Sequence, residues 1–129
     1  MGLSTDDVVA IQQLAGRYNH AIDSGDGSAF AETFIDGGVL DAGSPIEGRD
    51  ALEQFAKGLP AAFTNPRHVA SNIVVEGDGD QARLRAYVQM WATLGDPPQP
   101  TLVAQGRYDD TLAKVGGDWR FVRRTFTAD

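Results

Sequence analysis

Two short segments, about fifty residues apart, hold the side chains best suited to chemistry: Tyr18-Asn-His-Ala-Ile-Asp23-Ser-Gly-Asp26 and Arg67-His68-Val-Ala-Ser-Asn72. An acid, an imidazole and a phenol gathered in a closed pocket are the parts needed to take a proton from carbon and expel a leaving group. Each also has a plain structural reading. Asp23 can begin a solvated turn, His68 can be a satisfied structural histidine, and Tyr18 can be a core aromatic. His20 is expected on the exposed side of its helix.

The elements that must position these groups follow from the pattern. Ser4 or Thr5, followed by Asp6 and Asp7, marks a helix start, because a short oxygen side chain caps free N–H groups and carboxylates favour the positive helix end. Val8, Ile11, Ala15, Tyr18 and Ile22 then recur at three- and four-residue steps, one buried face. Gly25 ends this helix. Asp26 caps a second one carrying Ala29, Phe30, Thr33 and Phe34 and expected to end within 36–38, followed by a short strand at 39–42 and a turn at Gly43-Ser-Pro45. A third helix carries Ala51, Leu52, Phe55 and Ala56, and Gly58-Leu-Pro60 is expected to end it.

After Pro66 the period changes to two. Leu84, Ala86, Val88 and Met90 alternate with Arg83, Arg85, Tyr87, Gln89 and Trp91, and Gly77-Asp-Gly79 and Gly116-Gly117 read as hairpin turns. Strands are expected over 67–76, 80–94, 101–114 and 118–127, with 95–100 a loop because of its three prolines. Helices first and antiparallel strands afterwards make an α+β chain, expected to form one domain over 1–129.

Composition narrows the partners. The formal charge of −7 argues against a surface built for nucleic acid or anionic lipid, both of which require clustered Lys and Arg. Arg120, Arg123 and Arg124 form the one basic cluster and are expected on an exposed strand face, with phosphate binding the less favoured alternative. Cysteine is absent and there are two histidines, so neither disulfides, thiolate chemistry nor a His-rich metal site is expected. The amino-terminal residues lack the features of a signal peptide and no apolar run reaches membrane-spanning length, so the expected location is the cytoplasm, with no membrane partner.

Ala-Ile-Asp-Ser-Gly-Asp26, Phe34-Ile-Asp36, Ile46-Glu-Gly-Arg-Asp50, Arg67-His68-Val-Ala-Ser-Asn72, Gly106-Arg-Tyr108 and Asp118-Trp-Arg-Phe121, in this order and over nearly the whole chain, resemble the SnoaL-like branch of the nuclear transport factor 2-like superfamily. The resemblance implies a cystatin-like α+β cone: a curved, mixed or antiparallel sheet, covered by N-terminal helices, around a deep pocket. Scytalone dehydratase, bile acid 7α-dehydratase and hexachlorocyclohexane dehydrochlorinase, which this chain looks like, pair an aspartate matching Asp23 with a histidine matching His68. The same resemblance implies a functional phenol at Tyr18 and a pocket phenol at Tyr108. The two carboxylates of the ketosteroid isomerases would fall at Ala42 and Ala104, so that mechanism is disfavoured.

Asn72, four residues beyond His68 on the same strand, is expected to face inward with it as a substrate anchor or a holder of His68. Phe30, Phe34, Val88 and Met90 are expected to supply the apolar wall. The expected activity is a cofactor-independent, metal-free lyase, a dehydratase acting on a small apolar cyclic or polyketide-like molecule. A cyclase or isomerase with the same base and a noncatalytic binding module are the alternatives. Tyr87 and Trp91 place large aromatics on the outer sheet face, which predicts a homodimer. Light scattering at micromolar concentration should find a dimer; a monomer contradicts this expectation.

Overall fold

In the computed structural model, which describes residues 2–129, an N-terminal layer of helices covers one face of a curved open sheet. Helix α1 spans Thr5–Ser24. Ser4 caps it by accepting the Asp7 N–H, and Asp7 returns the bond to the Ser4 backbone, a reciprocal capping box. Ile11, Leu14, Ala15, Tyr18, Ala21 and Ile22 form its buried stripe. Gly25 closes it in the left-handed conformation, φ 72°, with its N–H bonded to the Ala21 and Ile22 carbonyls.

Asp26 caps α2, Gly27–Glu32. This helix is shorter than its spacing predicts: the Thr33 hydroxyl donates to the Phe30 carbonyl and the chain turns directly into strand β1, Phe34–Asp41. Strand β2, Pro45–Glu47, pairs back on β1. Helix α3, Arg49–Ala62, also departs from expectation, since it runs through Pro60 and still bonds Phe63 N–H to the Leu59 carbonyl. The proline removes one helical donor, and its ring packs against Gly25, where an added Cβ would lie 2.9 Å from Pro60 Cγ.

Strands β3 (Arg67–Asp78), β4 (Gln81–Leu94), β5 (Gln99–Val115) and β6 (Asp118–Ala128) complete a sheet of order β2-β1-β6-β5-β4-β3. Only β1 and β6 are parallel among these neighbours. Strand β5 begins earlier than expected, with Pro100 opposite Thr93 near the end of the ladder, a place that tolerates a missing N–H. Residues 82, 84, 86, 88, 90 and 92 of β4 all point at the helices and are buried, as the alternation predicts. Tyr18, Phe30, Phe34 and Phe121 form an aromatic cluster with centroids 4.8 to 6.2 Å apart. Burial of each such ring contributes roughly 1.5–3 kcal/mol. Among the described residues no helix is long and apolar enough to cross a membrane.

Two β-bulges decide which polar side chains enter the interior. Register slips between Ser71 and Val74 of β3, where Asn72 has φ 55°, and at Val122 of β6, which the ladder from Phe121 to Arg123 skips. A bulge inserts an extra residue and reverses the facing of the residues beyond it.

The first turn of α1 is latched to the β5–β6 hairpin through one carboxylate. Asp7 accepts from Trp119 Nε1 at 2.9 Å and Lys114 Nζ at 3.1 Å. The indole bond, the Ser4 hydroxyl and the Lys114 ammonium together hold its pKa well below the usual carboxylate range. A depressed carboxylate stabilises the fold above its unfolded value and loses that contribution as pH falls towards the folded one. Asp7→Asn should therefore lower the midpoint of thermal unfolding at neutral pH, with the gap to the parent protein narrowing in acid; a gap independent of pH would contradict the latch.

Candidate active site

Asp23 sits in the last turn of α1, where the helix dipole disfavours a carboxylate unless donors meet it. His68, at the start of β3, supplies them. Its backbone N–H reaches both Asp23 oxygens, at 3.2 and 3.0 Å, and its Nδ1 lies 2.6 Å from Oδ1. A carboxylate only accepts, so Nδ1 carries a proton, and in the neutral ring the free lone pair is that of Nε2. The His68 and Asp23 side chains are 11% and 13% exposed. The backbone bond matters as much as the side-chain one, because it fixes where the ring starts.

The imidazole enters a cavity of about 180 Å³ between α1, α3 and the sheet. Ile22, Leu40, Phe55, Leu59 and Phe126 give it an apolar wall, and its polar side chains are His68, Tyr18 and Tyr108. Val88 and Met90 line it as expected, and so do Ala42 and Ala104. Asp41, beside Ala42, is turned outward to Arg123.

Three expected site residues lie elsewhere. Asn72 is exposed on the outer sheet face near Tyr87 and Arg107, because the β3 bulge breaks the alternation that would have carried it inward with His68. Phe30 and Phe34 do not line the cavity; both are fully packed behind Tyr18 in the aromatic cluster. His20 is exposed, and Tyr87 and Trp91 stand on the outer face with 57% and 36% exposure.

Arg124 corrects the reading of the basic cluster. Arg120 and Arg123 are surface residues paired with Glu32 and Asp41, but Arg124 is fully buried. The β6 bulge turns it inward only three positions after the inward Phe121. There it makes a bidentate ion pair with Asp110, both bonds 3.0 Å, directly across the β5–β6 ladder. Its Cζ lies 3.5 Å from the Tyr108 ring centroid, 4.4 Å from that of Tyr18 and 4.5 Å from that of Phe121. Nη1 finds no hydrogen-bond partner among the described residues, and cation–π attraction to these rings offsets part of that loss.

Burial pushes Asp110 up to about 6 against the opposing pull of Arg124. Burial also works against the Arg124 charge, yet Asp110 and the two phenols hold it above the ordinary guanidinium value. The sequence signal for this pair was the inward row Tyr108, Asp110, Leu112, since a carboxylate on a core face requires a buried cation. Arg124→Ala, which strands the Asp110 charge, should cost roughly 3–5 kcal/mol in urea unfolding, and the joint Arg124→Met, Asp110→Leu change far less. Equal losses would show that the charges are not what the site holds. Among the described residues no three His, Asp or Glu side chains gather as metal ligands.

A helix-covered curved sheet with a polar pair at the mouth of an apolar cavity is the nuclear transport factor 2-like, cystatin-like architecture. The family model for the SnoaL-like domain matches residues 4–125, and the chain belongs to that family. No curated protein matches it. Among solved structures it is similar to a protein of unknown function from Mycobacterium tuberculosis, at 28% identity and TM-score 0.91 over 98% of this chain and 78% of that one. A protein from Novosphingobium aromaticivorans provisionally named a scytalone dehydratase matches at 25% identity and TM-score 0.81, over 95% and 84% of the two chains. Another from the same organism, provisionally named an aromatic ring hydroxylase, matches at 28% identity and TM-score 0.84, over 98% and 91%.

Proposed function

We propose that the protein is a lyase that removes water from a small hydroxylated cyclic molecule, with His68 as the base and Asp23 as the group that orients it. The observation that carries this reading is the 2.6 Å contact between Asp23 and His68 Nδ1 at the wall of an apolar cavity. With Nδ1 committed to the carboxylate, Nε2 is the one ring nitrogen left to accept a proton.

In the proposed step, Nε2 takes a proton from a carbon next to a carbonyl or similar activating group. The C–H electron pair becomes the new double bond as the neighbouring C–O bond breaks. The departing hydroxide takes a proton from the imidazolium and leaves as water, so His68 returns to its starting state. A phenol in the cavity wall stabilises the charge that develops on the activating oxygen. The neighbour provisionally named a scytalone dehydratase supports elimination over other uses of the same base.

Size limits the substrate. An engineered apolar cavity of about 150 Å³ holds benzene. The 180 Å³ here suits one substituted ring and is small for a fused polyketide or a steroid. A noncatalytic ligand-binding or assembly module, the alternative from another class, would be favoured by a separated Asp23–His68 pair or a pocket plugged by neighbouring side chains.

Hydroxylated monocyclic ketones offered to the protein should give a product lighter by one water, followed by mass spectrometry. A product of unchanged mass would instead assign isomerisation or cyclisation to the same base. His68→Ala should slow the reaction about 10²–10⁴-fold, and Asp23→Asn should also slow it, with circular dichroism unchanged. Unaltered turnover in His68→Ala would remove the dyad from the mechanism.

A further inference from the structure

Two phenols reach the cavity, and they are not equivalent. Tyr18 and Tyr108 both line it, lie edge to face with centroids 6.1 Å apart, and influence each other's ionisation. Tyr18 belongs to the helix layer and is packed among Phe30, Phe34 and Phe121. Tyr108 belongs to the sheet, and its ring lies 3.5 Å from the Arg124 guanidinium carbon, nearly an ångström closer than that of Tyr18. Asp110, two positions along the same strand, holds that guanidinium with both carboxylate oxygens.

A cation against the face of a phenol draws density from the ring and makes its O–H a stronger donor. In a chain of two phenols, the member that ends on a ligand carries most of the developing negative charge, and the member behind it strengthens that bond by donating to its oxygen. The ring nearest the guanidinium is suited to the terminal place. We infer that Tyr108 is the catalytic phenol that donates to the substrate oxygen, that Tyr18 backs it as a donor, and that Arg124 is a positioning residue acting through the Tyr108 ring. The inference deepens the proposed elimination and rests on it in taking this cavity as the substrate site.

The electrostatics agree with this order. Burial raises both phenols, Tyr18 well above its ordinary value, while Arg124 and the neighbouring Tyr18 hydroxyl pull Tyr108 back down. The Asp23 carboxylate also acts on Tyr108, which places that hydroxyl in the same electrostatic environment as the dyad. A donor from the sheet and an acceptor from the start of β3 then face a single ring held between them.

Acetophenone is a one-ring probe with a carbonyl acceptor and no donor, so its infrared carbonyl stretch reads phenol donation without any turnover. With Nδ1 donating to Asp23, neutral His68 has no proton to offer it. Bound to the parent protein, the carbonyl should absorb at lower frequency than in Tyr108→Phe, which should also bind it about fivefold more weakly, the loss of one ordinary hydrogen bond. Tyr18→Phe should keep the shift in reduced form. The Arg124→Met, Asp110→Leu protein should reduce it with Tyr108 in place, and the joint Arg124→Gln, Asp110→Asn change, which removes both charges but keeps polar side chains, provides a second variant should the first not fold. His68→Ala should keep the full shift, so loss of elimination there with the shift intact separates failure of the base from failure of this inference. A shift that survives Tyr108→Phe and vanishes in Tyr18→Phe overturns the assignment, as does a carbonyl unshifted in the parent protein. A shift undiminished in the Arg124 variants overturns the role of the guanidinium.

Discussion

One carboxylate at the end of α1 accepts hydrogen bonds from both the ring and the backbone N–H of His68 at the start of β3, and this clamp ties the helix layer to the sheet at the mouth of the cavity. A carboxylate at the negative end of a helix needs such donors, and a strand that has just left a loop needs a fixed starting point. Each need is met by the other element. The residues proposed to do chemistry are thus also those that set how the two layers meet, with the imidazole held through both its ring and its backbone N–H.

The interior is polar at two places and apolar between them. At the rim stands the Asp23–His68 pair, partly open to solvent; deep in the cone stands the Asp110–Arg124 pair, closed off entirely. Tyr18 and Tyr108 touch the apolar cavity on one side and the buried guanidinium on the other. Removing two charges from water costs several kcal/mol per ion, and the bidentate bonds and stacked rings recover much of that only because the geometry is good. In so little water, fixed dipoles act more strongly on whatever enters the cavity than they would at the surface.

Much of this was legible in the residues. The stripe of α1, its Ser4 start and Gly25 stop, and the alternation of β4 all follow from periods of 3.6 and 2, and the Asp23–His68 pairing was expected from the family resemblance. What was hidden came from places where the period breaks without a marker. Asn72 and Arg124 both change face at bulges, and neither bulge is flagged by glycine or proline. Phe34 sits four residues after Phe30, a helical spacing, yet Thr33 closes the helix between them. Pro60 reads as a stop, but one lost hydrogen bond does not end a helix whose other residues are packed.

The alanines are as informative as the charged groups. At Ala42 and Ala104, near which the resemblance to the ketosteroid isomerases implies the two working acids would fall, the cavity wall carries only methyl groups. The polar side chains that remain are one imidazole acceptor and two phenol donors. On the proposed reading, a ligand must satisfy those few groups with one acidic C–H and one oxygen, and its remaining surface must be apolar, because a further polar group would be buried among Ile22, Leu40, Phe55 and Leu59 without a partner. Specificity would then come less from what the wall binds than from the polar groups it cannot accommodate.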